Sequence, residues 1–194
     1  MKTKLLFATI ALFTTFALSA QEAKYELKSA IIKKSMEMWG QKMEATQYFD
    51  DYGKAESVTL TMEMQGTTTR MRTITKGDII TVLNLDNKTG NRITMPDKQV
   101  NFLNLTQEMK DKYKVKELGE ETIAGKPCKK YSMEMNQMGQ DVSITAWIWK
   151  GFALKSVTEA GGMTVVDLTT DIQENVAVDA ENFAIPSDFT IQDM

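Results

Sequence analysis

The sequence predicts a mainly β protein: a curved antiparallel sheet, an open half-barrel, with one or two short helices covering its concave face. Three observations predict it. Apolar and polar residues alternate along most of the chain, glycine and Asn/Asp turn signals recur roughly every 10 to 13 residues, and a single segment carries a helical period.

The first element is an export signal at residues 1–20. Lys2 and Lys4 supply a positive start, Leu5 to Leu18 runs without a charge, and Ala17, Ser19 and Ala20 are the small residues before a cleavage point ahead of Gln21. An uncharged run of this length is short for a membrane span, and no second stretch approaches one, so no stable membrane insertion is expected. Residues 21–194 are then expected to form one antiparallel β domain that works outside the cytoplasm. Without the leader, 21 Lys and Arg stand against 26 Asp and Glu, a formal charge of −5. That balance argues against nucleic acid as a partner. A single cysteine, Cys128, excludes an internal disulfide.

Strands are expected at 25–39, 41–50, 55–64, 67–75, 79–85, 91–95, 115–123, 128–135, 141–150, 153–160 and 163–173. In the third, Val58, Leu60, Met62 and Met64 oppose Ser57, Thr59, Thr61 and Glu63. In the last, Thr164, Val166, Leu168, Thr170 and Ile172 oppose Asp167, Thr169 and Asp171, which assigns the aspartates to a wet face. Strands 79–85 and 141–150 are apolar on both faces, so both are expected to be covered twice. Turns are read at Gly40, 50–53, Gly66, 77–78, 86–90, Gly125, 136–139, Gly151 and 161–162. Between Pro96 and Tyr113, Phe102, Leu105, Met109 and Tyr113 recur at spacings of three and four. This predicts an amphipathic helix over 102–113, capped by Asn104 with Gln107 three residues on.

Catalytic chemistry finds little support. There is no histidine, which removes the commonest general base and metal ligand, and no nucleophile elbow or phosphate-binding loop. The carboxylate pairs Asp50-Asp51, Glu120-Glu121 and Asp167/Asp171 read as solvated surface. Asp86, Asn87 and Gly90 lack the spacing of a calcium loop and read as a turn. No cofactor is expected. Cys128, without a resolving cysteine or a base, reads as a plain thiol, although Lys129 and Lys130 beside it favour a lowered pKa.

Methionine is the unusual feature, 14 in all. The tripeptide Met-Glu-Met occurs at 36–38, 62–64 and 133–135, and alternation puts both methionines of each pair on one strand face, about 6.6–6.8 Å apart. Three readings are open: a Met-rich closed core of a protein-interaction or structural module, a plastic apolar surface for a ligand, and Cu(I) ligation by thioethers. Trp147 and Trp149 share one face of their strand and read as core, as interface or as a stacking floor.

The second half also carries a family pattern. The stretch Leu118-Gly119-Glu120-Glu121-Thr122-Ile123-Ala124-Gly125-Lys126-Pro127-Cys128-Lys129-Lys130-Tyr131, the hairpin around Trp147 to Lys155, and the end Phe183-Ala184-Ile185-Pro186-Ser187-Asp188-Phe189 resemble small secreted proteins related in pattern to the lipoprotein-localisation-factor superfamily. The resemblance implies a half-barrel whose apolar concavity shelters acyl chains, with a lipid or lipoprotein as partner, in the periplasm or outside, in a Gram-negative cell envelope. Taken with the methionine faces, it points to an exported, non-enzymatic protein that binds an apolar ligand. Val58, Leu60, Met62, Met64, Met133, Met135, Trp147 and Trp149 are the expected lining, with the 102–113 helix as plug.

Overall fold

The computed structural model describes residues 22–38, 41–64, 66–94, 100–137 and 140–194, leaving aside the side chains of Met38, Met64 and Gln137. The leader and the turns at Gly40 and Gly139 lie outside the described residues. The strands are β1 (Ala30–Met38), β2 (Gln41–Asp50), β3 (Ala55–Met64), β4 (Thr67–Lys76), β5 (Ile79–Asn84), β6 (Thr89–Thr94), β7 (Lys116–Ile123), β8 (Lys126–Gln137), β9 (Gln140–Trp149), β10 (Phe152–Ala160), β11 (Met163–Glu174) and β12 (Thr190–Asp193). One short helix, α1 (Gln107–Lys112), and two single 3-10 turns complete the described elements.

All the strands join one sheet, in the order β12-β6-β5-β4-β3-β2-β1-β11-β10-β9-β8-β7. It is curved and unclosed. Neighbours in the sheet are consecutive, antiparallel strands in all but two places: β1 pairs antiparallel with the distant β11, and β12 lies parallel to β6. The turns Ala124-Gly125, Lys150-Gly151 and Gly161-Gly162 have positive φ at both residues, the two-residue geometry that matches strand twist.

Three register shifts bend the sheet, one between β7 and β8 at Glu117/Gly119 and, nearer its centre, one between β1 and β11 at Lys33/Lys34 and one between β9 and β10 at Ala153/Lys155. Near them Leu27, Ala30, Ile32, Phe49, Cys128, Trp147, Phe152 and Leu154 form the main core cluster. Tyr25 packs on it, its ring 4.6 Å from Phe49 and 5.5 Å from Phe152. A second cluster of Met133, Ala146 and Ile148 lies under Val100, Phe102, Tyr113 and Val115.

Four expectations are corrected. Residues 25–29 are not strand. The Lys24 and Tyr25 N–H groups both donate to the Tyr52 carbonyl and Glu26 donates to that of Lys150, so the segment crosses strand ends instead of pairing along one. It passes close over Gly53, where an added Cβ would meet the Tyr25 ring at 2.6 Å. The helix is shorter than 102–113. Asn101 Oδ1 accepts from the Leu103 and Asn104 N–H groups, holding Phe102 in a turn, and the cap is Thr106, whose hydroxyl accepts from Met109 N. Strand β12 was not foreseen. Finally, β11 turns Asp167 and Thr169 inward, while Asp171 is exposed as expected: Thr169 is 2% exposed, whereas Leu168 is 38% exposed. The register shift opposite Asp171 and Thr169 reverses the phase, so Ile172 and Thr169 share the face of Ile32 and Lys34.

The double cover expected of 141–150 is present: Val142, Ala146 and Ile148 are buried on one face and Trp147 on the other. On β5 only one face is closed. Leu83 and Thr81 are buried, while Ile80 and Val82 are half-exposed. Leu83 lies on Gly90, where a Cβ would stand 2.7 Å from Leu83 Cδ2, 2.8 Å from the Val82 carbonyl and 2.9 Å from Ile191 Cδ1. Gly90→Ala is therefore expected to push β12 off the edge and cost about 1–3 kcal/mol. Faster amide exchange at 190–193 in that variant is the measurement; unchanged protection there would refute the packing.

Candidate functional site

Residues directly opposite in a ladder project from the same face, so the registers trace one surface across the sheet. One row runs Tyr131, Ala146, Ser156, Asp167, Met36, Met43 from β8 to β2. A row beside it runs Met133, Ile144, Thr158, Val165, and another Lys34, Ala45, Leu60, Met71. With Met62 on β3 and Met163 on β11, methionines from six strands share one continuous face. Its margin is the row Met135, Val142, Ala160, Met163.

That margin lines a groove of about 830 Å³ together with the adjacent row Glu134, Ser143, Glu159 and Thr164. Lys112 and Lys114, from the end of α1 and just beyond it, line it together with Glu134, Asp141 and Glu159. Lys114 Nζ binds Glu134 Oε2 at 2.8 Å, which holds the Glu134 carboxyl below its usual range. A second groove, about 690 Å³, lies beside Lys34, Met43 and Ala45 and is otherwise polar.

The expected lining residues fall into three groups. Met133 and Met135 lie on the methionine face, Met133 buried at 5% exposure and Met135 at the groove. Val58, Leu60 and Met62 share that face six strands away and are half-buried, while the Met64 side chain lies outside the described residues. Trp147 and Trp149 point to the other face of β9. There Trp147 donates its indole N–H to Glu121 Oε2 at 2.7 Å and lies between Lys130 and Lys155, 4.7 and 4.4 Å from its ring. Trp149 lies between Lys126 and Lys150 in the same way. These indoles are framework: cation–π contacts order the lysine stems, and the Trp147 bond lowers the Glu121 pKa. The groove residues Val142, Ala160 and Met163 were missed, because only the strand register reveals that they share a face with Met135.

Lys126 and Lys150 both bind Glu174, at 2.7 and 3.1 Å, and the Lys126 bond is the first cause of its lowered pKa. A depressed carboxylate adds stability above its unfolded pKa of about 4.3, lost as pH falls through the lower folded value. Glu174→Gln is expected to lower the urea midpoint at pH 7 and to flatten its fall between pH 5 and pH 3. A parallel shift with unchanged slope would contradict the assignment.

Cys128 is buried, and its thiol donates to the Lys126 carbonyl at 3.5 Å. Burial pushes its pKa up, so desolvation outweighs the adjacent lysines. Asp86 accepts two hydrogen bonds from the Arg70 side chain and one from its backbone N–H, which ties the 86–90 turn to β4. Among the described residues no group of three or more His, Cys, Asp or Glu is placed to hold a metal ion, and no helix is long and apolar enough to cross a membrane.

No protein-family model and no curated protein matches the chain. Among solved structures it is similar to an uncharacterized conserved protein from Thermus thermophilus, at 10% identity over 87% of this chain and 92% of that one, with a TM-score of 0.55. The shared feature is the fold. A second similarity is to MucB, at 12% identity over 86% of this chain and a TM-score of 0.50; the chain spans 60% of MucB's length. A third structure, a putative outer membrane lipoprotein-sorting protein domain from Vibrio parahaemolyticus, has 12% identity over 83% of this chain and 92% of that one, with a TM-score of 0.45. These likenesses are of fold, one large unclosed curved sheet.

Proposed function

We propose that this protein is an exported, non-enzymatic binding protein for an apolar or amphiphilic ligand of the cell envelope: a lipid, an acyl chain or the lipid of a lipoprotein. One observation carries the reading. The methionine face runs out into a mixed polar and apolar groove of about 830 Å³, where Met135, Val142, Ala160 and Met163 supply the apolar part of the lining, within the usual volume range of ligand sites. Methionine side chains adapt to irregular partners, which suits a surface that takes flexible chains. The leader-like residues 1–20 support an address beyond the cytoplasm, and the lack of histidine supports binding over catalysis.

The groove and the methionine face replace the eight-residue lining as the proposed contact surface, with Met133 and Met135 retained and Trp147 and Trp149 set apart. Val58, Leu60 and Met62 extend the surface toward β4. Native mass spectrometry of gently purified protein is expected to show co-purified lipid or uptake of a 14-carbon amphiphile. Met135→Lys together with Val142→Glu, both at the groove, should reduce uptake at least tenfold with the fold intact. A delipidated protein that binds no amphiphile at all would sink the proposal and leave the closed Met-rich interaction module as the better account.

A further inference from the structure

The methionine face has a polar interruption at its centre. Lys34 Nζ binds Asp167 Oδ2 at 2.9 Å, with only 9% and 22% of the two side chains exposed. The other carboxylate oxygen, Asp167 Oδ1, is shielded from solvent and has no partner in the protein. So is Thr169 Oγ1, two residues along the same face and opposite Lys34. Among the described residues only three shielded side-chain oxygens lack a partner, and these two are neighbours. They lie far from either sheet edge, on β11, between Ser156 on one side and Met36 on the other. Unpaired buried polar oxygens are costly, and two side by side in a proposed binding surface need hydrogen-bond partners from outside the protein, a water or the polar group of a ligand.

The chemistry narrows what that molecule presents. Lys34 neutralises Asp167, so the station has no net charge to attract an ion. Asp167 Oδ1 accepts only, whereas the Thr169 hydroxyl and the remaining Lys34 protons donate. A hydroxyl satisfies both needs, because it donates to Oδ1 and accepts from Lys34 or Thr169. A fatty-acid carboxylate brings acceptors and a negative charge to an oxygen that needs a donor. We infer that Lys34, Asp167 and Thr169 form a polar anchor for the hydroxyl-bearing head of a neutral amphiphile, such as a monoacylglycerol, whose chain lies along the methionine face. This inference rests on the apolar-ligand reading above and adds a selectivity to it.

The test uses delipidated full-length mature protein with two 14-carbon probes below their micellar concentrations, 1-monomyristoylglycerol and myristate, titrated by calorimetry at neutral pH. At least a tenfold preference for the monoacylglycerol is expected. Thr169→Val, which keeps the shape and removes the unpaired hydroxyl, should remain folded and cut that preference threefold or more. Asp167→Asn leaves the Lys34 charge uncompensated, so myristate should gain and the preference collapse. Equal affinities in the unmodified protein, or a preference unchanged in both folded variants, would overturn the anchor and leave the pair as a purely structural feature. Binding of neither probe would overturn the underlying apolar-ligand reading, and the anchor with it.

Discussion

Phe49→Ala is expected to lower the stability of the domain by about 3–5 kcal/mol, among the largest effects any single truncation should have here. The ring is wholly buried and sits where the chain's distant parts meet. Its centroid is 4.6 Å from that of Tyr25 in the N-terminal segment and 5.7 Å from that of Phe152 in β10. It pairs through the ladder with Ala30 on β1, which is also fully buried and too short to fill the space left. For a chain of this size the loss corresponds to roughly 6–20 °C in Tm. Urea unfolding read by tryptophan fluorescence is a direct check, because Trp147 and Trp149 belong to or pack against the same cluster. A loss under 1 kcal/mol would mean the two halves of the sheet do not depend on this junction.

The junction also shows how far the sequence could be read. Alternation located ten of the strands within a few residues, because each lies between glycine-rich turns and keeps one phase along its length. Phase was misjudged where a bulge intervened. On β11 the pattern of Val166 and Leu168 against Asp167 and Thr169 reads as a wet aspartate face, yet the extra residue opposite Lys33/Lys34 turns Asp167 inward to meet Lys34. No local signal announces that exchange, since the compensating charge comes from a strand more than 130 positions away. Strand β12 was hidden for a related reason. Four residues pairing in parallel with β6 need no turn signal, and what holds them, Ile191 over Gly90 and the Arg92–Asp193 ion pair, comes from a strand a hundred positions away.

The candidate site was legible in part. The Met-Glu-Met repeats correctly announced methionine faces on separate strands, because alternation alone fixes which side chains share a face. Which strands become neighbours is a property of topology, and it brings Met36 opposite Met43 and Ser156 opposite Asp167. The tryptophans misled for the opposite reason. Their size suggested a floor for a ligand, but Lys126, Lys130, Lys150 and Lys155 already occupy their rings. An aromatic pair in sequence says nothing of the long cationic stems that neighbouring strands lay across it.

Glu56→Leu should cost about 3 kcal/mol, through electrostatics and not through volume. Glu56 accepts from Lys24 Nζ at 2.8 Å, from the Tyr25 hydroxyl at 2.6 Å and from Gln47 Nε2 at 3.4 Å. The Lys24 and Glu56 side chains are only 17% and 13% exposed, so leucine takes the acceptor from three groups with limited access to water. Tyr25→Phe removes one of those bonds and should cost less than half as much. The two changes combined should cost less than their sum, since leucine already deprives the tyrosine of its partner. Alkaline pH gives an independent view of the same contact. Burial first, and then the Glu56 charge, push the Tyr25 pKa well above its ordinary value near 10. A raised folded pKa contributes stability that is complete below the unfolded pKa and is lost as pH rises through the folded one. Stability should therefore fall above about pH 10, and absorbance at 295 nm should show one tyrosine that ionises only as the protein unfolds. Tyr25→Phe should abolish that step and hold the midpoint steadier between pH 10 and pH 11. If every tyrosine instead titrates freely in the folded protein, the segment carrying Tyr25 is not docked on Phe49. The junction argued for above would then have to be redrawn without it.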